Sequence, residues 1–239
     1  MESRCKRGAN EVLPARCRAV PNTRPTIGLR RGALWNTESA MPTDLPRLFL
    51  ARHGDTPWTD SRQHTGRTDL PLNERGERNA RQLGDRLQQN AFVRVFSSPL
   101  QRAFKTCELA GYGKRAEIDA DLLEWDYGAF EGKTTAEILK DHPSWELYRD
   151  GSPNGESADD VAGRADRFIA GVRAIGGDVL AFSSGHIIRM IAARWLGLVA
   201  AEGRFFYCRP ASVGVLGYEH NSYTEPIIRA WNYVRLPGE

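Results

Sequence analysis

Cysteine is scarce in this 239-residue chain: Cys5, Cys17, Cys107 and Cys208 show no Cys-x-x-Cys spacing. That excludes a disulfide framework and predicts reduced thiols in a cytoplasmic protein. No cysteine has an arginine six positions on, so the loop of cysteine-dependent phosphatases is missing. A Gly-rich P-loop and zinc-ligand spacing are absent as well. Asp119-Ala120-Asp121 superficially resembles an aspartate-nucleophile motif, but no strong apolar strand precedes it. Long apolar runs are also lacking. The longest mostly apolar stretch, Met190 to Ala201, is interrupted by Arg194 and is too short to span a bilayer, so no membrane association is expected.

An excess of positive charge is confined to one end. The net charge is +3, yet residues 1–40 hold eight Lys/Arg against Glu2, Glu11 and Glu38, which leaves the remainder slightly acidic. A basic face for nucleic acid is therefore not expected. Residues 1–44 show neither helical nor strand periodicity and are read as a disordered basic tail, or as a start placed ahead of Met41. Residues 45–239 are read as the functional domain. Hydrophobic residues at 41% and charged residues at 26% are ordinary for a globular chain.

What is present is an alternation of short apolar runs and helical stripes. Leu48-Phe49-Leu50-Ala51, Val93 to Phe96, Val179 to Phe182 and Val213 to Tyr218 predict strands. Asn73 predicts a helix start, with Ala80, Leu83 and Leu87 on its buried face. Leu100, Ala103, Phe104 and Cys107 predict a second helix. Ser157 with Asp160 starts a third, with Val161, Ala165, Phe168, Ile169 and Val172 as its stripe. Ile187, Ile188, Ile191, Ala192, Trp195 and Leu196 form a fourth, stopped at Gly197. This order predicts an α/β three-layer sandwich, a mostly parallel sheet with helices on both faces.

Ligands of such sheets bind beyond the C-terminal strand ends. Three ends here carry Arg52-His53-Gly54, Ser97-Ser98-Pro99 with Arg102, and Ser184-Gly185-His186. Two arginines, two histidines and a helix N-terminus suit one anion, and phosphate is its natural identity.

Five ordered segments then carry a resemblance: Leu50-Ala51-Arg52-His53-Gly54-Asp55-Thr56, Thr65 to Leu72, Ser97 to Ala103, Glu124-Trp125-Asp126-Tyr127-Gly128 with Glu131-Gly132, and Gly155-Glu156-Ser157. Over roughly residues 47–232 the chain resembles the histidine phosphatase superfamily, also called phosphoglycerate mutase-like. It looks most like the branch of sedoheptulose-bisphosphatase-like and acid sugar phosphatases. The resemblance implies His53 as nucleophile through a phosphohistidine, Glu124 as acid and base, and His186 as a third catalytic group. It implies that Arg52, Arg102, Thr59, Thr65, Gly66 and Ser184 bind substrate, with no metal and no cofactor. The expected partner is a small phosphorylated metabolite, such as a sugar phosphate, with no nucleic acid or membrane and with a homodimer left open.

The chain departs from the family pattern at three positions. Asp55 stands where Glu or Gln is usual, and Thr59 where Asn is usual. Ser184 occupies the second-histidine slot when Arg189 anchors the match, which moves His186 two residues along. A different strand-to-helix turn would be needed to bring His186 to the phosphate. The alternatives are a phosphoglycerate mutase, or a catalytically weak phosphate-binding member.

Overall fold

Alternate residues of the central strands serve two different cores. In β1 (Leu48–Arg52), Leu48 and Leu50 join one apolar cluster, while Phe49 and Ala51 join the other. The computed structural model describes residues 45–234, so the predicted tail over residues 1–44 lies outside the described residues. Along the chain follow α1 (Pro57–Ser61), α2 (Glu74–Leu87), β2 (Arg94–Ser97), α3 (Gln101–Leu109), β3 (Ala116–Ile118), α4 (Thr135–Asp141) and α5 (Leu147–Asp150). Then come α6 (Ala158–Arg173), β4 (Val179–Ser183), α7 (Gly185–Trp195), β5 (Val213–Tyr218) and β6 (Pro226–Tyr233).

The strands form one sheet in the order β3-β2-β4-β1-β5-β6. The pairings from β3 to β1 are parallel, and β5 and β6 add antiparallel. Val179 and Ala181 of β4 face the α6–α7 core, and Leu180 and Phe182 face the α2–α3 core. A strand covered on both faces needs a continuous apolar run, which is why β1 and β4 lack polar alternation. The result is the three-layer α/β sandwich expected from the sequence.

Caps fall where the sequence predicts them. The Asn73 side chain accepts from Gly76 N to start α2, and Ser157 with Asp160 closes a capping box on α6. Helix α7 ends at Trp195, and Gly197 follows with φ of 76°. Two strands escaped the sequence reading. β3 has three residues and no buried side chain, and β6 begins with proline and has no fully buried residue. Edge strands of this kind carry little hydrophobic signal. β2 begins one residue later than predicted, because Val93 is exposed and its N–H donates to Asp178 O outside the ladder. Among the described residues, no helix is long and apolar enough to cross a membrane.

Candidate active site

The three polar strand ends belong to β2, β4 and β1, which are consecutive in the sheet. Their C-terminal ends therefore open on one side. His53 N donates to Ser183 O at 2.9 Å, and Gly54 N donates to Thr106 Oγ1 at 3.0 Å, tying the β1 end to β4 and α3. The loop also lies against the first turn of α2 so closely that a Cβ at Gly76 would overlap the Asp55 carbonyl oxygen.

His53 is buried, and its Nδ1 lies 2.7 Å from Gly54 O. A carbonyl only accepts, so Nδ1 carries the proton and Nε2 keeps its lone pair. Burial holds the ring well below the ordinary imidazole range, reinforced by the Arg102 and Arg52 charges and opposed by the Gly54 bond. The imidazole is neutral at pH 7, with one nitrogen unprotonated.

Two guanidinium groups are fixed by backbone carbonyls. Arg52 donates to Cys208 O at 2.7 Å. Arg102, fully buried, donates to Thr68 O at 2.9 Å, Thr65 O at 3.0 Å and Gly66 O at 2.8 Å. Thr65 and Gly66 thus meet Arg102 through their carbonyls. The Thr65 hydroxyl donates to Gln63 O, and Gly66 N donates to the Glu131 carboxylate. Thr59 donates its hydroxyl to Thr56 O within the capping box of α1, so that proton is committed locally. Asp55 is turned toward α2, where it accepts from Arg75 and Asn79.

After these bonds are made, Arg52 Nε, Arg102 Nε and Ser184 Oγ remain buried without a protein partner; Ser152 Oγ, on another loop, is the fourth such atom among the described residues. Buried polar atoms are nearly always satisfied. Arg102 and Arg52 are the two charged neighbours of the neutral imidazole, and Ser184 follows the end of β4, the strand that pairs with β1. Ser184 is the N-cap of α7, yet its side chain makes no capping bond. A Cβ on the next residue, Gly185, would lie 3.1 Å from Arg52 Cζ, so this turn packs directly on the guanidinium.

Glu124 takes over the capping. Its Oε1 accepts from Trp125 N at 2.9 Å and Ile187 N at 3.0 Å, and its Oε2 accepts from His186 N at 3.0 Å. Glu124→Ala would leave three N–H groups unpaired, two of them buried, and should lower unfolding free energy by about 2–4 kcal/mol. Glu124→Gln retains an acceptor oxygen and should lose less than half of that. Urea denaturation of both variants checks the order.

The β4–α7 turn holds no extra residue: β4 ends at Ser183 and Ser184 caps the helix. The altered turn needed to exchange Ser184 for His186 is therefore not present. His186 instead lies beside Glu124, with Nδ1 3.9 Å from Oε2, and its Nδ1 meets Tyr127 Oη at 2.5 Å. His64 joins the same cluster, with ring centroids 4.8 Å from Tyr127 and 6.0 Å from His186. Burial pulls His64 down to about 4. His142 caps the end of α4, and His220 sits in the β5–β6 turn bonded to Glu225.

Several supporting residues were not singled out from sequence. Glu131 accepts from Gly66 N and Thr68 N, shaping the loop whose carbonyls hold Arg102. Glu156 accepts from Asp126 N and from Arg164, whose other nitrogen donates to Asp121 O and Leu123 O just before Glu124. Both glutamates stand in the quoted segments, but only the three-dimensional structure gives their partners. Thr106 gave no signal in the sequence, lying outside the apolar stripe of its helix.

The chain matches the family described as "Histidine phosphatase superfamily (branch 1)" over residues 48–233. It is 39% identical over 178 residues to a protein named acid phosphatase of Mycobacterium tuberculosis, covering 73% of this chain and 87% of that one. It is 36% identical to sedoheptulose 1,7-bisphosphatase of Saccharomyces cerevisiae, with 83% of this chain and 97% of that one covered. The solved structure of a mycobacterial glucosyl-3-phosphoglycerate phosphatase complexed with VO3 superposes with a TM-score of 0.71 at 27% identity, covering 79% of this chain and 99% of that one.

Proposed function

The chain belongs to the histidine phosphatase superfamily, and from that premise we propose that it is a phosphomonoesterase acting on a small phosphorylated metabolite, most simply a sugar phosphate. The observation that carries the reading is a neutral, buried His53 flanked by the charges of Arg102 and Arg52, whose Nε atoms have no protein partner, with the unpartnered Ser184 hydroxyl just beyond the end of the neighbouring strand. The name of the yeast relative specifies a phosphorylated sugar and that of the mycobacterial structure a glucosylated phosphoglycerate, and both support a small phosphorylated metabolite.

In this reading His53 Nε2 attacks phosphorus, and the ester P–O bond breaks as the P–N bond forms. Glu124 delivers a proton to the departing oxygen. Water then attacks the phosphohistidine, Glu124 recovers a proton, and the P–N bond breaks to release inorganic phosphate. Arg52 and Arg102 supply the positive charge for the equatorial oxygens, so the cycle calls on no metal ion. Ser184 contributes one neutral hydrogen bond where the family places a histidine.

That difference supplies the test. Wild type should release phosphate from p-nitrophenyl phosphate and from at least one sugar of a pentose, hexose and heptose phosphate panel. Ser184→His should raise kcat by about 30- to 10³-fold, since a charge-assisted donor in a buried site is worth about 2–4 kcal/mol. Tight binding of vanadate with no turnover of any substrate would overturn the phosphatase reading in favour of a phosphate-binding protein.

A further inference from the structure

His186 is held from every side but one. Its backbone N–H donates to Glu124, its carbonyl accepts from Tyr148 Oη at 3.1 Å, and its Nδ1 meets Tyr127 Oη at 2.5 Å. The rings of His64, Tyr127 and Tyr148 lie 5.8–6.0 Å from its own, centroid to centroid. About a quarter of the side chain remains exposed, and its ring makes its hydrogen bond through Nδ1, with none at Nε2 among the described residues.

The direction of the Tyr127 bond follows from what else is available. Tyr127 is 1% exposed, and its hydroxyl has no other acceptor among the described residues. Its proton therefore goes to Nδ1 of His186. The charged groups around the ring are Arg52, Arg189 and Glu124. Burial, Arg189, His64 and Arg52 all disfavour an imidazolium, and burial keeps Tyr127 protonated. A neutral ring that accepts at Nδ1 must carry its hydrogen on Nε2.

We propose, resting on the phosphatase reading, that Tyr127 is a positioning residue that fixes His186 as an Nε2–H donor to the leaving group of the substrate. His186 then selects an oxygen-bearing leaving group, such as a polyhydroxylated sugar, and does not hold the transferring phosphate. Its place beside Glu124, the proton donor to the same leaving group, puts both residues on that side of the scissile bond.

The test compares phenyl phosphate, whose leaving group has no acceptor beyond the ester oxygen, with the best sugar phosphate of the panel. His186→Leu should lower kcat/KM for the sugar phosphate by about 10–10²-fold, chiefly through KM, and for phenyl phosphate by less than about threefold. His186→Gln, which keeps a donor, should recover part of the loss. Tyr127→Phe, which keeps the ring, should show the same substrate split. Nitrogen NMR should report His186 as the Nε2–H tautomer in wild type and as a mixture in Tyr127→Phe. Equal losses on both substrates, or an Nδ1–H tautomer in wild type, would overturn the inference. Wild type inactive on both substrates would remove the phosphatase reading and this inference with it.

Discussion

His53→Ala should lose about 10⁴–10⁶-fold in kcat and all acid-labile phosphoenzyme, which rapid acid-free quenching with labelled substrate measures. No other imidazole in the site has the same preparation. His53 is fixed as the Nδ1–H tautomer by Gly54 O, and two arginine side chains raise the cost of protonating it. His186, by contrast, offers a hydrogen rather than a lone pair. The sign of the pH dependence follows. A base held below its ordinary range stays unprotonated as pH falls through about 6.5. With His53 as the proposed nucleophile, no acid limb is expected there, and kcat/KM should begin to fall from His53 protonation only at lower pH. Label retained on the His53→Ala protein would place the phosphoryl group on another side chain and sink the assignment.

The sequence carried the strands that face two cores far better than those at the edges. Leu48 to Ala51 and Val179 to Phe182 had to be apolar at every position, since alternate residues enter different clusters. Ala116–Ile118 and Pro226–Tyr233 had no such requirement and left no pattern. The site divides similarly. The locations of Arg52, His53, Arg102 and Ser184 were legible because strand ends and helix starts fix them with few alternatives. The partners of Glu124 were not, because a carboxylate that caps a helix more than 60 residues away has no local signature. Thr59 and Gly66 show the limit of motif transfer. Their donors were available in the sequence, whereas the folded chain spends them on Thr56 O and the Glu131 carboxylate. The hydroxyl of Tyr127 gives the opposite case, an apolar-looking core residue whose single polar atom sets the state of His186.

Arg102 combines a structural role with a charge, and the two separate experimentally. Its terminal nitrogens satisfy three carbonyls, those of Thr65, Gly66 and Thr68, while Nε has no protein partner. Arg102→Ala removes both functions. It should lower kcat by about 10³–10⁴-fold, as expected for loss of an arginine that stabilises transferring phosphoryl oxygens. It should also lower unfolding free energy by about 2–4 kcal/mol, because the buried carbonyls lose their donors. Arg102→Lys returns a positive charge as a point donor without the planar fork. That variant should recover about tenfold in kcat over Arg102→Ala and remain far below wild type. Added guanidinium ion provides the separation: it should rescue turnover of the folded Arg102→Ala protein, whereas ammonium at the same ionic strength should not. A folded Arg102→Ala protein within tenfold of wild-type kcat/KM would show that the guanidinium only holds the Thr65–Thr68 loop. The positive charge at the phosphate would then rest on Arg52 alone.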